Sequence, residues 1–429
     1  MQVLNFLISE VFVQAPIFLG LIALIGLIMQ QRKTVDVIEG TAKTIVGILI
    51  LNAGIDVFLS SLLPLTSLLT KSFGVEGVLP DCFGPFGLVM KTLAREVSLV
   101  FILAFATHLL LVRILPFKGA KNVFLTGHIM LFESAWFVLA IRSTMHLQGA
   151  ALIAAAAVFT GALWTLLPAI ARPFTRELTG DEYTLGHLNS LAVVIGDRVG
   201  RFFKDSPKSD ELNLPGFLSV FTDYTVLLSF LMPLMYMIIG LIAGAGAVGP
   251  LTGGQNWVIW LILSGLKFAA GVGIVLFGVR TFLAAIIPAF EGISKRLLPG
   301  ARAALDCPVF YPFAPVGSMI GFVADFAGSV LASLLLILFK SPLVVFPGPI
   351  FFFFDGALAG VFGDRVGGWK GAAAAGFLAG VLVQVGSVLL IGFQPELRGS
   401  GLMFSGPDMV LLLPLFYVFR LIGGALGLA

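Results

Sequence analysis

Apolar stretches of about 20 residues, the length that crosses the hydrocarbon core of a bilayer, recur along almost the whole chain. The clearest are Val11–Met29, Ile45–Leu63, Val97–Ile114, Val123–Ile141 and Ala150–Ala171 in the first half. The second half carries Phe217–Ala243, Trp257–Val279, Met319–Phe339, Leu343–Phe362, Gly371–Ile391 and Met409–Leu426. Only 11% of the residues are charged and 58% are hydrophobic. A water-soluble domain carries about 25% charge. So small a polar complement cannot coat a soluble particle of this size, whereas lipid can. These features predict an all-α integral membrane protein of about eleven transmembrane helices.

Two stretches break the pattern. Residues 64–91 and 280–315 are rich in Gly, Pro and polar residues yet too apolar for plain loops. We read them as re-entrant hairpins, which a membrane tolerates only where the irregular backbone is buried in protein or lines a cavity. The first holds Asp81-Cys82 and the second Asp306-Cys307. Each recurs at the same point in the order span, span, hairpin, three spans, and about five spans separate the two starts, as an inverted repeat requires. This predicts a first repeat over 1–214, a second over 215–394 and a final helix in 395–429. The longest polar segment, 172–214, closes the first repeat, and Leu185–Phe203 reads as an amphipathic helix at the membrane surface.

Basic residues orient the chain. Arg32/Lys33, Arg113/Lys118/Lys121, the cluster from Arg172 to Lys208, Lys295/Arg296 and Arg365/Lys370 all fall inside if the N-terminus is outside. The C-terminus is then inside. The first apolar run lacks a basic lead-in and a small-residue cleavage site, so it reads as a span rather than a removable signal. With a net charge of only +3, these clusters are topology signals and give no nucleic-acid surface.

Sequence motifs exclude several chemistries. No Walker phosphate loop and no Gly-x-Ser-x-Gly elbow occurs. Gly244, Gly246 and Gly249 form a Gly-x-Gly-x-x-Gly, but no strand precedes it, so it reads as a loop. The two cysteines, Cys82 and Cys307, form no sequence-level metal set, and no cofactor is indicated.

Ionisable groups inside apolar runs are costly and therefore face a cavity or a partner. Asp306 reads either as an acceptor for ligand hydroxyls or as the cap of a re-entrant helix, and capping is the stronger reading for Asp81. His128 and His187 each offer a donor and an acceptor to a polyhydroxy ligand, or serve the fold. Glu133 and Asp355 read as proton or ligand sites, or as ion-pair partners of Arg142 or Arg365.

Several stretches, in order, resemble the ascorbate-type EIIC permease family of the bacterial phosphoenolpyruvate-dependent sugar phosphotransferase system. They are Thr126-Gly127-His128-Ile129-Met130, Gly186-His187, Leu214-Pro215-Gly216, Gly278-Val279-Arg280, Phe290 to Ala301, Ala304-Leu305-Asp306, Phe313-Ala314-Pro315 and Gly367-Gly368-Trp369. The likeness covers roughly residues 8 to 395. It implies two inverted repeats, a homodimer in the bacterial cytoplasmic membrane, and a core that moves against a dimerising part. It implies that EIIC binds the substrate and carries it inward for phosphorylation by a separate EIIB, which EIIA supplies. On that likeness the chain is not an enzyme by itself.

The family's substrate-contacting positions carry over onto His128, His187 and Asp306. The chain departs from the family at four others. Cys82 and Phe83 stand where family members have Thr and Tyr, and Phe132 and Leu188 each stand where they have Gln. Every change removes or weakens a hydrogen-bonding group. The resemblance therefore predicts a permease for ascorbate or a related polyhydroxy compound, with an altered pocket. The rival reading is an ion- or proton-coupled transporter on the same fold, with a less polar substrate and with Glu133 and Asp355 as coupling groups.

Overall fold

The computed structural model describes residues 14–73, 77–212, 224–341, 343–348, 351–397 and 399–425. The long helices are α1 (Ala15–Met29), α2 (Thr34–Phe73), α3 (Phe83–Ile114), α4 (Gly127–Met145), α5 (Gly149–Thr179), α6 (Ser190–Gly200), α7 (Tyr224–Ala243), α8 (Trp257–Leu297), α9 (Pro315–Leu338), α10 (Ala357–Leu390) and α11 (Leu413–Ala425). Among the described residues, five helical stretches are long and apolar enough to cross a membrane: Arg95–Ile114, Gly149–Thr179, Trp257–Ile274, Pro315–Leu338 and Phe352–Phe393. A bent pair, Leu228–Ala243 and Ala245–Leu251, makes a sixth if taken as one span, bent by 108° at its break. The corner is Gly244, at φ +81°, a left-handed conformation that glycine adopts without cost. The expected glycine loop is thus a tight corner between helices.

The irregular stretches take a definite form. The helix α2 runs through Pro64 to Phe73 before the chain extends into strand β1 (Gly77–Pro80). Likewise α8 continues to Leu297 before strand β4 (Arg302–Leu305). Each strand is followed at once by its Asp-Cys pair and then by a new helix, α3 or α9. Hydropathy alone did not reveal these strands, because they are short and buried.

The other strands are β2 (Asn122–Phe124), β3 (Tyr183–Leu185), β5 (Val344–Val345) and β6 (Leu402–Met403). They form two three-stranded, wholly parallel sheets with orders β5-β1-β6 and β2-β4-β3. The central strand from one half of the chain is flanked by strands from the other half. This arrangement satisfies backbone groups that would be costly to bury unpaired.

Helix packing falls into two groups. One comprises α1, α2, α7 and α8, in which α8 lies along α2. The other comprises α3, α4, α5, α6, α9, α10 and α11, in which α9 on α10 is the most extensive pair. Contacts between the groups are sparse. The segment expected as a surface helix, Leu185–Phe203, contains α6, which packs along α10 with Gly196 and Gly200 against the α10 backbone. Interior packing thus accounts for its apolar face.

The helix α10 is itself a hairpin. It reverses at Gly367 and Gly368, and Gly368 has φ +56°. A Cβ on Gly363 would meet the carbonyl oxygen of Gly371 at 2.5 Å, so the two arms touch backbone to backbone. Gly321 of α9 lies between them, and a Cβ there would stand 2.5 Å from the Cα of Gly360.

At the polar end of the second group, Arg172 donates to both oxygens of Asp181 at 2.9 Å. This pairing holds the Asp181 carboxyl below the usual carboxylate range. A depressed folded-state value adds stability above the unfolded value of about 4 and loses it as pH falls through the folded value. The melting temperature is therefore expected to fall below about pH 4 with a component that Asp181→Asn removes, which an acid-limb thermal melt of both proteins checks.

Candidate functional site

Parallel pairing puts the carboxyl ends of all three strands of a sheet at the same end. In β3 and β4, Leu185 lies opposite Leu305, so His187 and Asp306 leave the sheet side by side. In β1 and β6, Pro80 lies opposite Met403, so Cys82 emerges beside Ser405 and Gly406. Phe124 of β2 lies opposite Ala304, and the chain then turns into α4 with Ile129 and Phe132. Downstream of β5 stand Phe351, Phe354 and Asp355.

These residues meet. One cavity is lined by Cys82, Ile129, Phe132, His187, Leu188, Asn189, Phe351, Phe354, Asp355, Ser405 and Gly406. Every strand but β4 sends a following residue into its wall, and Asp306 after β4 lies 3.7 Å from His187, between Nε2 and Oδ1. A site beyond the carboxyl ends of parallel strands is the general ligand position of open parallel sheets. The cavity holds only about 30 Å³. That is room for about two waters at roughly 10–15 Å³ each, far below the roughly 300 Å³ of a ligand pocket. A ligand of sugar size enters only when the walls part.

The polar groups are braced. The His187 ring stacks on Phe354, with centroids 5.1 Å apart and planes 15° from parallel. Asp306 Oδ1 accepts from the Cys307 backbone N–H at 2.7 Å, so the carboxylate caps the turn that follows. Asp306 thus has the capping contact and the place beside the cavity at once. Asn189 donates to the Cys307 sulfur at 3.5 Å and reaches toward Asp355. Asp408 accepts from the backbone N–H groups of Ser190 and Leu191, at 2.7 and 2.6 Å. It thereby fixes the start of α6 and the turn that presents His187 to Asn189.

Of the expected site residues, Cys82, Phe132, His187, Leu188 and Asp355 line one cavity, and Asp306 adjoins it. Asp81 is buried, and its backbone N–H donates to Met403, extending the sheet. Glu133 is buried beside the cavity wall and accepts from the Trp164 indole N–H. The arginines suggested for Glu133 and Asp355 pair elsewhere. Arg365 binds Glu177 and Asp197, and Arg142 lies 3.9 Å from Glu396. His128 and Phe83 sit in the first turns of α4 and α3, and their side chains lie outside the described residues.

His108 carries a structural role. Its Nε2 accepts from the Phe124 N–H at 3.0 Å, which leaves the proton on Nδ1, donated to Thr165 at 2.8 Å. Among the residues that sequence reasoning missed are Asn189, Phe351, Phe354 and Ser405 on the wall and Asp408 behind it. Asp408 had one signal, a Gly-Pro-Asp turn ahead of an apolar run, but it lies beyond the stretch of recognised likeness.

The ligating atoms of His187, Asp306 and Cys307 lie within 4.8 Å of one another. Three donors are one short of a closed structural zinc site, which takes four. The spacing of these residues along the sequence hid the cluster, because β3 and β4 join distant parts of the chain.

Residues 10–408 match the EIIC-GAT family, the sugar-specific permease component of the phosphotransferase system. The chain is also 25% identical over 426 residues to the ascorbate-specific phosphotransferase EIIC component of Mycoplasma pneumoniae. That alignment covers 86% of this chain and 64% of the relative, so the chain spans somewhat under two thirds of that protein's length. The matched region takes in every residue of the cavity and extends to Asp408. The chain belongs to the EIIC-GAT family of phosphotransferase-system sugar permease components.

Proposed function

We propose that this protein is a membrane permease subunit that binds ascorbate or a related polyhydroxy compound in the cavity at the strand ends and carries it inward. A separate EIIB, supplied by EIIA, then phosphorylates the compound, and the chain contributes no catalytic residue of its own. The observation that carries this reading is the convergence of His187 and Asn189 with Phe132 and Leu188 on one cavity, with Asp306 beside His187. Few polar groups on an apolar wall are the usual make-up of a small-ligand pocket. His128 completes the set, together with Cys82 and Phe83. The relative's ascorbate specificity supplies the ligand class.

The two helix groups support an elevator-like movement. All described wall residues of the cavity belong to the group built from α3–α6 and α9–α11 with the two sheets, and contacts with the α1, α2, α7 and α8 group are sparse. The latter group presents Ile25, Ile28, Ile38, Leu234 and Leu241 outward, as a scaffold that meets lipid or a second copy requires. The proposed assembly is a homodimer in the bacterial cytoplasmic membrane, with the N-terminus outside. Strand exchange between equivalent elements supports two inverted repeats in a chain of about eleven spans.

A thermal-shift titration of the purified protein in detergent tests the ligand, since a compound that binds only the native state raises the melting temperature. Ascorbate or a pentitol is expected to raise it, and Asp306→Asn is expected to abolish that shift while leaving the unliganded melt intact. No shift with ascorbate, pentitols or hexoses would overturn the reading.

A further inference from the structure

The polar interior of α9 and α10 lies outside what sugar binding uses. On α9, Asp325, Ser329 and Ser333 follow one another at helical spacing, each at most 5% exposed. The Ser329 hydroxyl donates to Asp325 Oδ1 at 3.1 Å, and the Ser333 hydroxyl donates to the Ser329 and Val345 carbonyls. Asp325 Oδ2 has no hydrogen-bond donor among the described residues.

Two glycines hold this carboxylate against α10. A Cβ on Gly356 would stand 2.9 Å from Asp325 Oδ2, and one on Gly380 would stand 2.7 Å from Oδ1. Asp355 immediately precedes Gly356, in a π-helical turn spanning Phe352–Gly356. Such turns are rare and mark functional sites more often than ordinary helix does. Asp355 Oδ2 also lacks a donor among the described residues, and Asp355 forms part of the ligand-cavity wall. One turn beyond Gly380, Gln384 Oε1 is a further buried acceptor without a donor.

Among the described residues, no lysine or arginine pairs with either carboxylate. Asp355 faces Asp325 and Asp408 within electrostatic range, with Cys82 and Cys307 beside it and Asn189 as its amide neighbour. His187 lies on the same cavity wall, stacked on Phe354. Among the described residues, no ion pair includes Asp325 or Asp355, and Arg365 is committed to Glu177 and Asp197. Buried acceptors without donors call for an ion, a water or a proton. Two carboxylates in a low-dielectric interior without a basic partner call for a cation.

We propose that Asp325 and Asp355 together bind one small monovalent cation, a sodium ion or a proton, beside the ligand cavity. Carboxylate oxygens as ligands suit a hard cation. Because Asp355 belongs to both sites, occupancy of one changes affinity at the other, and linkage makes the effect reciprocal. An anionic ligand such as ascorbate gains from a bound cation that cancels the charge of the wall.

The test uses the full-length protein in detergent without any sugar, so its outcome is independent of which compound is carried. Sodium chloride replaces choline chloride at constant ionic strength, and in a second series pH is varied from about 5 to 8 in choline chloride alone. If sodium is the ion, the melting temperature rises by about 2 °C or more at about 100 mM sodium. If a proton is the ion, sodium has no effect and the melting temperature falls as pH rises. In either case Asp325→Asn and Asp355→Asn must each suppress the response. A wild type indifferent to both sodium and pH, or a response that survives in both variants, overturns the proposal. Should the Asn variants not fold, Ser329→Ala removes the hydroxyl that orients Asp325 and keeps both carboxylates. It must then move the midpoint of the same titration, and an unmoved midpoint overturns the proposal.

Discussion

Replacing Phe132 and Leu188 together by Gln is expected to tighten ascorbate binding by about 5- to 150-fold, at about 0.5–1.5 kcal/mol for each of two hydrogen bonds gained. Both side chains line the cavity and both are buried, at 4% and 3% exposure. A buried hydroxyl that meets an apolar wall loses its water without replacement, and a Gln amide supplies both a donor and an acceptor. Gln is also smaller than Phe, which relieves a cavity of only about 30 Å³. The cost falls on the unliganded protein. Phe132 meets Phe86 edge to face, with centroids 5.2 Å apart, and such a pair contributes about 0.5–1.5 kcal/mol. The double variant should therefore melt lower when empty and shift further with ascorbate. Calorimetric dissociation constants for both proteins check the first part, and equal or weaker affinity would show that ascorbate does not occupy this cavity.

Gly321→Leu is expected to cost the fold outright. Gly321 is held between the two arms of α10, and a Cβ there would meet the Gly360 Cα at 2.5 Å and its nitrogen at 2.8 Å. On the other side, a Cβ on Gly376 would meet the Gly321 Cα at 2.8 Å. Overpacking a core costs about 1–3 kcal/mol when neighbouring side chains can rotate aside. Here the neighbours are backbone atoms, which have no such escape, so the cost lies at or above the upper end. The expected result is loss of the monodisperse peak on size exclusion in detergent. Gly392→Ala serves as the control, because nothing lies within 4 Å of its added methyl. A well-folded Gly321→Leu protein would mean that the α10 arms do not close on α9.

Apolar run length found helices long and apolar enough to cross a membrane, such as Gly149–Thr179 and Pro315–Leu338, because a lipid-facing helix writes a long signal. It did not find β1 to β6. Strands of two to four residues are too short to leave a period, and most of their residues are buried. The site was legible only in pieces. Likeness to a family singled out His187, Asp306, Phe132 and Leu188 one at a time. Nothing along the chain says that His187 stands 3.7 Å from Asp306, since that distance follows from the register of Leu185 opposite Leu305. Asp325 escaped notice because Ser329 and Gly380, which define its surroundings, look unremarkable until α9 and α10 are packed together. The suggested pairing of Glu133 and Asp355 with arginines went wrong for a related reason. Charge proximity depends on helix rotation, and the rotation here delivers the Trp164 indole to Glu133.

The exchanged strands also set a timetable for making the protein. Strand β1 emerges from the ribosome early, yet its two neighbours are residues 344–345 and 402–403. Until those arrive, the backbone groups of Gly77–Pro80 have no partner, and a half-made chain must keep them near water or a chaperone. The candidate site is therefore among the last parts to mature. A chain halted before residue 400 would insert most of its helices and still lack Ser405, Gly406 and the Asp408 brace of α6. Quality control that senses unpaired backbone would have until nearly the end of synthesis to reject a faulty copy.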